Sequence, residues 1–231
     1  WSSDVCSSDL VCTVEDPIEM VAPELNQTQV HTAIDLTFAQ GVRTLLRQDP
    51  DIIMIGEIRD LDTAQMAVQA SLTGHLVLST LHTNDAPSAI TRLLDLGLPH
   101  YLIASTLNGV LAQRLVRTLC THCKQPKAVD PEGWRALVGP ASDLPPPTTA
   151  CGPVGCLECR NTGYFGRLGI YELMTMTAPL RAMIRPDMEL AGFSRAAVGT
   201  GLRTLRMAGA EKVALGLTTV EEVMTVLPPQ E

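Results

Sequence analysis

Hydrophobic positions along the chain fall into blocks of different period. Val11-Cys12-Thr13-Val14 is a short β-prone stretch that stops at Glu15-Asp16-Pro17, where proline cannot donate to a ladder. Ile34, Phe38, Val42, Leu45 and Leu46 recur at helical spacing, and Pro50 closes that region. Ile52-Ile53-Met54-Ile55 reads as a buried strand ending at Gly56-Glu57. A helix of small residues is predicted over about 63–71, with Gly74 just past its end. Leu76 to Leu81 reads as a third strand, ending at His82. Asp85 is a candidate N-cap for the next helix, Pro87 suits its first turn, and Gly97 and Pro99 stop it. Residues 102–116 read as one more amphipathic helix. Strands alternating with helices predict a parallel α/β sheet.

Beyond residue 118 the pattern changes. Residues 120–169 carry cysteines, many Gly and Pro, and the run Pro145-Pro146-Pro147, and read as a loop-rich module without an aliphatic core. Tyr171 to Leu227 reads as short helices, with Thr177 and Thr218 or Thr219 as N-caps and Thr218-x-x-Glu221 as a capping box. At the other end, residues 1–10 show no period, and Ser2-Ser3-Asp4 recurs as Ser7-Ser8-Asp9. The expected organisation is therefore a non-native or disordered leader (1–10), an α/β core (11–118), a cysteine subdomain (119–169) and a helical subdomain (170–231).

Of the 231 residues, 45 % are hydrophobic, which excludes bulk disorder. No apolar run approaches the roughly 18 residues of a spanning helix, and no charged start leads into an apolar core as in an export signal. A net charge of −8 with three lysines and 3 % aromatics argues against phosphate-backbone binding and base stacking, so no nucleic-acid partner is expected. Seven cysteines include two C-x-x-C pairs, Cys120/Cys123 and Cys156/Cys159, 32 residues apart. Each pair can wrap one side of a tetrahedral Zn²⁺, and four thiolates leave no open position, so such a zinc would be structural. Reduced thiols without metal are the plainer alternative, and His122 and Cys151 are competing ligands.

Ligands of parallel α/β sheets bind beyond the carboxyl ends of the strands. Here the three candidate strands stop at Glu15-Asp16, at Gly56-Glu57 and at Thr80-x-His82. If the strands are neighbours, these groups meet on one edge. Carboxylates there suit Mg²⁺ and can orient or deprotonate an attacking water. The imidazole can hydrogen-bond a terminal phosphate, and Gly56 admits close approach to the backbone. Taken singly, each of these residues also reads as an ordinary turn or a solvated group.

These residues lie in longer motifs. Residues 13–19 (TVEDPIE), 46–60 (LRQDPDIIMIGEIRD) and 73–85 (TGHLVLSTLHTND) resemble the Asp box, Walker B segment and His box of the secretion ATPases. These are the hexameric motors of type II secretion and type IV pilus assembly. The resemblance runs from about residue 11 to 227, includes the cysteines and residues 162–172 (TGYFGRLGIYE), and is nearer to the type II branch, with pilus assembly the alternative. It implies a partial RecA-like core followed by a tetracysteine zinc subdomain and a small helical subdomain, with ATP, Mg²⁺ and Zn²⁺ bound. It implies Glu15 as catalytic carboxylate supported by Asp16 and Glu19, and Glu57 as the Walker B glutamate. His75 and His82 would form the His-box pair, with His82 at the γ-phosphate. Arg59 would join the nucleotide-site residues; Arg43 and Arg47 also flank Walker B and read equally as surface arginines. The implied partners are further copies in a hexamer, an inner-membrane platform protein and a cytoplasmic-domain anchor. The implied location is peripheral, on the cytoplasmic face of the inner membrane.

One departure matters. A Walker A loop, G-x-x-x-x-G-K-[ST], is absent, because the first lysine is Lys124. In the family that loop lies upstream of the Asp box. The expectation is a carboxy-terminal part of an ATPase, inactive on its own. A competing class is a non-catalytic zinc-stapled scaffold; its nucleic-acid-binding form would need a basic face, which a net charge of −8 opposes and for which the arginines clustered at 160–206 offer one local patch.

Overall fold

A computed structural model describes residues 9–139 and 144–227. Most of the proposed leader and the last four residues lie outside that range. Leu10 is fastened: its N–H donates to Asp51 Oδ2 (2.7 Å) and its carbonyl accepts from Ile52 (3.2 Å).

The chain forms two compact units with interleaved segments. One comprises the segments up to Thr83, Pro87–Asn108 and Met176–Phe193; the other comprises Asn84–Ala86, Gly109–Thr175 and the chain from Ser194 on.

The first unit is built on a wholly parallel sheet of order β2-β1-β3-β4. Its strands are β1 (Val11–Glu15), β2 (Asn26–Gln29), β3 (Ile52–Ile55) and β4 (Leu76–Ser79). Their order explains their composition. The inner strands β1 and β3 are apolar almost throughout because both faces are covered; the edge strand β2 is Asn-Gln-Thr-Gln. Helix α1 (Phe38–Leu45) is N-capped by Thr37, and α2 (Leu61–Leu72) by Asp60. Phe38, Val42 and Leu45 of α1 and Met66, Ala67 and Ala70 of α2 close the core over Cys12, Val14, Ile53 and Ile55. Gly41 lets α1 approach β1, since a Cβ there would lie 2.8 Å from Val14 Cγ1. Burial pushes the Cys12 thiol up, as befits a small core residue. Helices α3 (Ser88–Asp95), α4 (His100–Thr106) and α6 (Ala178–Met183) complete the unit. Pro87, not Asp85, occupies the N-cap of α3.

The second unit is organised by a long antiparallel ribbon of β5 (Gly109–Leu119) and β8 (Tyr164–Thr175). The helix expected over 102–116 therefore ends at Thr106, and a strand begins at Gly109. Val110, Leu111, Leu115 and Val116 satisfy a helical period. The Asn108-Gly109 break and the alternation of buried Ala112 and Val116 with exposed Leu111 and Leu115 decide for a strand. Residues 171–175 are likewise strand, so β8 crosses the expected boundary at 169/170. Short β6 (Gln125–Pro126) and β7 (Cys151–Gly152) pair beside the cysteines. Helices α5 (Pro131–Val138), α8 (Leu205–Ala214) and α9 (Val220–Val226) also belong here. Helix α7 (Leu190–Gly199) spans the junction of segments at Phe193. Trp134 and Leu137 of α5 are buried, so the cysteine-rich stretch contributes apolar side chains after all.

The capping residue of α9 is Thr219, which accepts from Glu222 N–H, one position beyond the expected box. Thr218 instead donates to the Arg117 carbonyl. The Glu222 carboxylate is buried and takes the Arg117 backbone N–H (2.9 Å), Nε (2.9 Å) and Nη2 (2.6 Å). Arg117 stacks 4.3 Å over the Tyr164 ring, whose hydroxyl meets Thr219 Oγ1 at 3.0 Å. This network ties β5, β8 and α9 together.

Hydrogen bonding from Arg117 holds the Glu222 carboxyl below the usual carboxylate range. A depressed carboxyl contributes stability above its unfolded titration range and loses it as pH falls through the folded one. Glu222→Gln is expected to cost about 2 kcal/mol near neutral pH, with the difference from wild type shrinking as acid is added. Urea unfolding at several pH values measures both effects.

Candidate functional site

The parallel register of β1 and β3 aligns their carboxyl ends: Gly56 N–H donates to the Val14 carbonyl at 2.8 Å. Glycine suits this approach, because a Cβ at Gly56 would crowd that oxygen at 3.2 Å and Phe38 at 3.4 Å. Pairing with the β4 side continues past the strands through Thr80 Oγ1 to the Gly56 carbonyl (2.6 Å) and Ile58 N–H to the Thr80 carbonyl (3.0 Å).

This places the predicted groups in one chain of contacts. Glu57 Oε2 lies 3.3 Å from His82 Nε2, and Glu57 Oε1 accepts from Arg59 Nη2. Arg59 Nη1 lies 3.8 Å from Asp16 Oδ2. The Glu57 side chain is only 15 % exposed, whereas His82 is 91 % exposed. The carboxylate is therefore fixed and the imidazole is presented to solvent. The Arg59 hydrogen bond, with its charge and that of His82, holds Glu57 below the usual carboxylate range despite desolvation. Arg59 is in turn pushed up by Glu57.

Glu15 ends β1 on the same edge, and its Oε1 accepts from Thr13 Oγ1 (2.5 Å) and Gln27 Nε2 (3.0 Å). Glu19 is exposed in the loop beyond. Arg43 bonds Gln40 on its own helix, and Arg47 is exposed just past α1. His75 does not join the others. It precedes β4, whereas His82 follows that strand. Its Nδ1 sits 3.0 Å from the Ala70 carbonyl and 3.1 Å from Thr73 Oγ1, closing the end of α2. Thr13 and Gln27 are the site residues that the sequence reading missed. The polar alternation of β2 was their only signal, and it reads equally as an edge strand.

In the second unit Cys120, Cys123, Cys156 and Cys159 bring their sulfurs within 4.8 Å of one another. The separations Cys120–Cys156 (3.8 Å), Cys123–Cys159 (3.9 Å) and Cys156–Cys159 (3.7 Å) match the ~3.8 Å edge of a tetrahedron with ~2.3 Å Zn–S bonds. Two glycines shape the cluster. Gly155 and Gly163 adopt φ of 114° and 76° and donate their N–H groups to Cys123 Sγ (3.3 Å) and Cys159 Sγ (3.2 Å). A Cβ on Gly163 would lie 2.4 Å from Pro153 Cβ. Burial pushes the Cys159 thiol up, but N–H groups of Cys156 and Gly163 and the thiols of Cys156 and Cys123 outweigh it, bringing it to about 6. Cys151 lies in β7, and its Sγ approaches Gly216 and Thr149 rather than the cluster. The donors present fit a closed zinc site.

An acidic and imidazole edge on an open parallel sheet, followed by a four-thiolate knot, defines a class of α/β proteins with a ligand edge and a separate metal-binding module. Within it, the chain belongs to the type II/IV secretion system protein family, whose model matches residues 2–225. It is 56 % identical over 218 residues to the type IV pilus assembly ATPase TfpB of Acinetobacter baylyi, covering 94 % of this chain and 37 % of that protein. It is 52 % identical to the type II secretion system protein E of Pectobacterium carotovorum, covering 94 % of this chain and 42 % of the relative. The chain thus spans about two fifths of the length of the curated relatives it matches. Among solved structures, the pilus retraction motor PilT with bound ADP superposes with a TM-score of 0.65 at 27 % identity, over 96 % of this chain and 53 % of that one. The Legionella pneumophila ATPase DotB, at 23 % identity and a TM-score of 0.66 over 94 % of this chain and 51 % of that one, shares the fold.

Replacing Arg59 with Gln removes the main stabiliser of ionised Glu57. Its carboxyl is expected to titrate at higher pH in Arg59→Gln than in wild type, measured by carbon-detected NMR of labelled glutamate.

The tetracysteine cluster is expected to bind one zinc per chain, measured by elemental analysis, and Cys156→Ser to lose it. Chelation is expected to accelerate amide exchange in 120–163 before Val14 and Ile53 lose protection.

Proposed function

We propose that this chain is the Walker B and His-box part of an ATP-driven motor for protein secretion or pilus assembly. The observation that carries the reading is the contact series Asp16–Arg59–Glu57–His82 at aligned strand ends, in residues whose relatives are named as secretion and pilus ATPases. Glu57, ionised and fixed, would hold the hydrated Mg²⁺ that accompanies the nucleotide. A Mg²⁺ held there would supply charge neutralisation to the phosphates. Glu15 orients the attacking water and accepts its proton. His82 hydrogen-bonds the γ-phosphate and loses that bond when the phosphate departs. Arg59 keeps Glu57 ionised and tethers it to Asp16. The four cysteines hold a structural zinc.

Type II secretion is the reading favoured by the sequence motifs, and the 56 % identity to TfpB supports pilus assembly as a second reading. Assembly into a hexamer, docking on an inner-membrane platform protein and a cytoplasmic-domain anchor, and a peripheral position on the cytoplasmic membrane face all belong to this proposal. Among the described residues no helix is long and apolar enough to cross a membrane. Nucleic acid has no part in the proposed function.

The 231 residues contain no Walker A lysine, so the chain alone is expected to show no Mg²⁺-dependent phosphate release from ATP. Joined in frame behind the part of the Pectobacterium relative that precedes its Asp box, it is expected to hydrolyse ATP, with Glu57→Gln lowering kcat by about 10²-fold. Turnover by the chain alone, or a fused chain indifferent to Glu57→Gln, would overturn the reading.

A further inference from the structure

We propose that Gln27 is a positioning residue for Glu15, selecting which carboxylate oxygen faces the reaction. This deepens the reading of Glu15 as the catalytic carboxylate and rests on it.

β2 and β1 are parallel, with Thr13 opposite Gln27 and Glu15 opposite Gln29. Residues two apart on a strand share a face, so Thr13, Glu15 and Gln27 stand on one side of the sheet. The half-buried Gln27 side chain uses its whole amide. Nε2 donates to Glu15 Oε1 (3.0 Å) and to the Met20 carbonyl (3.0 Å), and Oε1 accepts from the Ala22 N–H (2.7 Å). These three partners fix the amide orientation, because the flipped amide would set its oxygen against two oxygens and its NH₂ against an N–H. The buried Thr13 hydroxyl donates to the same Glu15 oxygen at 2.5 Å. Both donors therefore converge on Oε1, and Oε2 has no hydrogen-bond donor among the described residues.

A carboxylate at a strand end ordinarily samples several rotamers. Two donors on one oxygen hold it in one, at an entropy cost met before substrate arrives. The differentiated Oε2 is the oxygen left to accept a proton from water. The same amide binds Met20 and Ala22, so it also fastens the loop that follows Asp16.

Carbon-13 relaxation of the Glu15 carboxyl in the 231-residue chain tests this without nucleotide. Gln27→Met keeps length and removes both donors and acceptor. It is expected to lower the Glu15 side-chain order parameter from about 0.8 to below about 0.6, while Val14 and Ile55 amides keep their exchange protection. A residue that only fastened the loop would change the Ala22 amide and leave the Glu15 carboxyl unmoved, and that result would overturn the proposal. Should Gln27→Met fail to fold, the unsubstituted chain still decides. There the Gln27 NH₂ protons are expected to exchange at least about tenfold more slowly than those of exposed Gln48, and equal rates would overturn it. In the fused ATPase, Glu15→Gln tests the carboxylate's role separately: full turnover there would sink the catalytic reading and leave the Gln27 contact standing.

Discussion

The candidate site depends on one constraint: β1 and β3 lie side by side, parallel and in register. A slip by one residue would move Val14 or Ile55 to the other face of the sheet, away from the α1 and α2 side chains that close over them. The register therefore fixes where the chain first leaves the sheet. Polar side chains concentrated at that exit are aligned by the packing of apolar ones behind it. Gly56 marks the same constraint in the backbone, where any side chain would press on Val14 and Phe38.

The electrostatics follow from the same exit. Glu57 is shielded on the sheet side and meets Arg59 and His82 on the other, so its charge is retained in spite of desolvation. Asp16, more exposed, lies 3.8 Å from the other terminal nitrogen of Arg59. The arginine is shared unequally, and the better-buried carboxylate takes the closer contact. In the second unit Glu222 shows the same physics for a structural purpose. Its buried carboxylate is acceptable because three donors of a single residue surround it.

Much of this was legible in the chain. Four-residue apolar runs stopping at charged residues gave β1 and β3, and the spacing of two C-x-x-C pairs gave the thiolate cluster. What failed did so for identifiable reasons. The stretch 107–116 carries apolar residues on both faces of a twisted ribbon, and such a stretch satisfies helical and strand periods together. Only Asn108-Gly109 distinguished them. In β8, Glu172 occupies an inward position that a pattern reader assigns to a hydrophobe. It is accepted there because it receives the N–H groups of Ala86 (2.8 Å) and Leu205 (2.9 Å), although burial still pushes its carboxyl up. The Thr218/Thr219 ambiguity was settled by Arg117, whose carbonyl and guanidinium claim Thr218 and Glu222 respectively. His75, seven residues before His82, shows that two histidines in one motif need not share a surface, because β4 runs between them.

Interleaving has a consequence for how the chain is made. The sheet-bearing unit takes its last segment, Met176–Phe193, from beyond the cysteines. Met176 N–H closes on the Asn108 carbonyl (3.0 Å), and Arg181 reaches back to the Ala104 carbonyl at the end of α4. During synthesis from the amino terminus, the four strands emerge well before the residues that complete their unit, and the metal-binding loops emerge in between. Contacts over such sequence separations form late. A ribosome-bound chain ending at the cysteines would thus carry the four described strands but an unfinished shell.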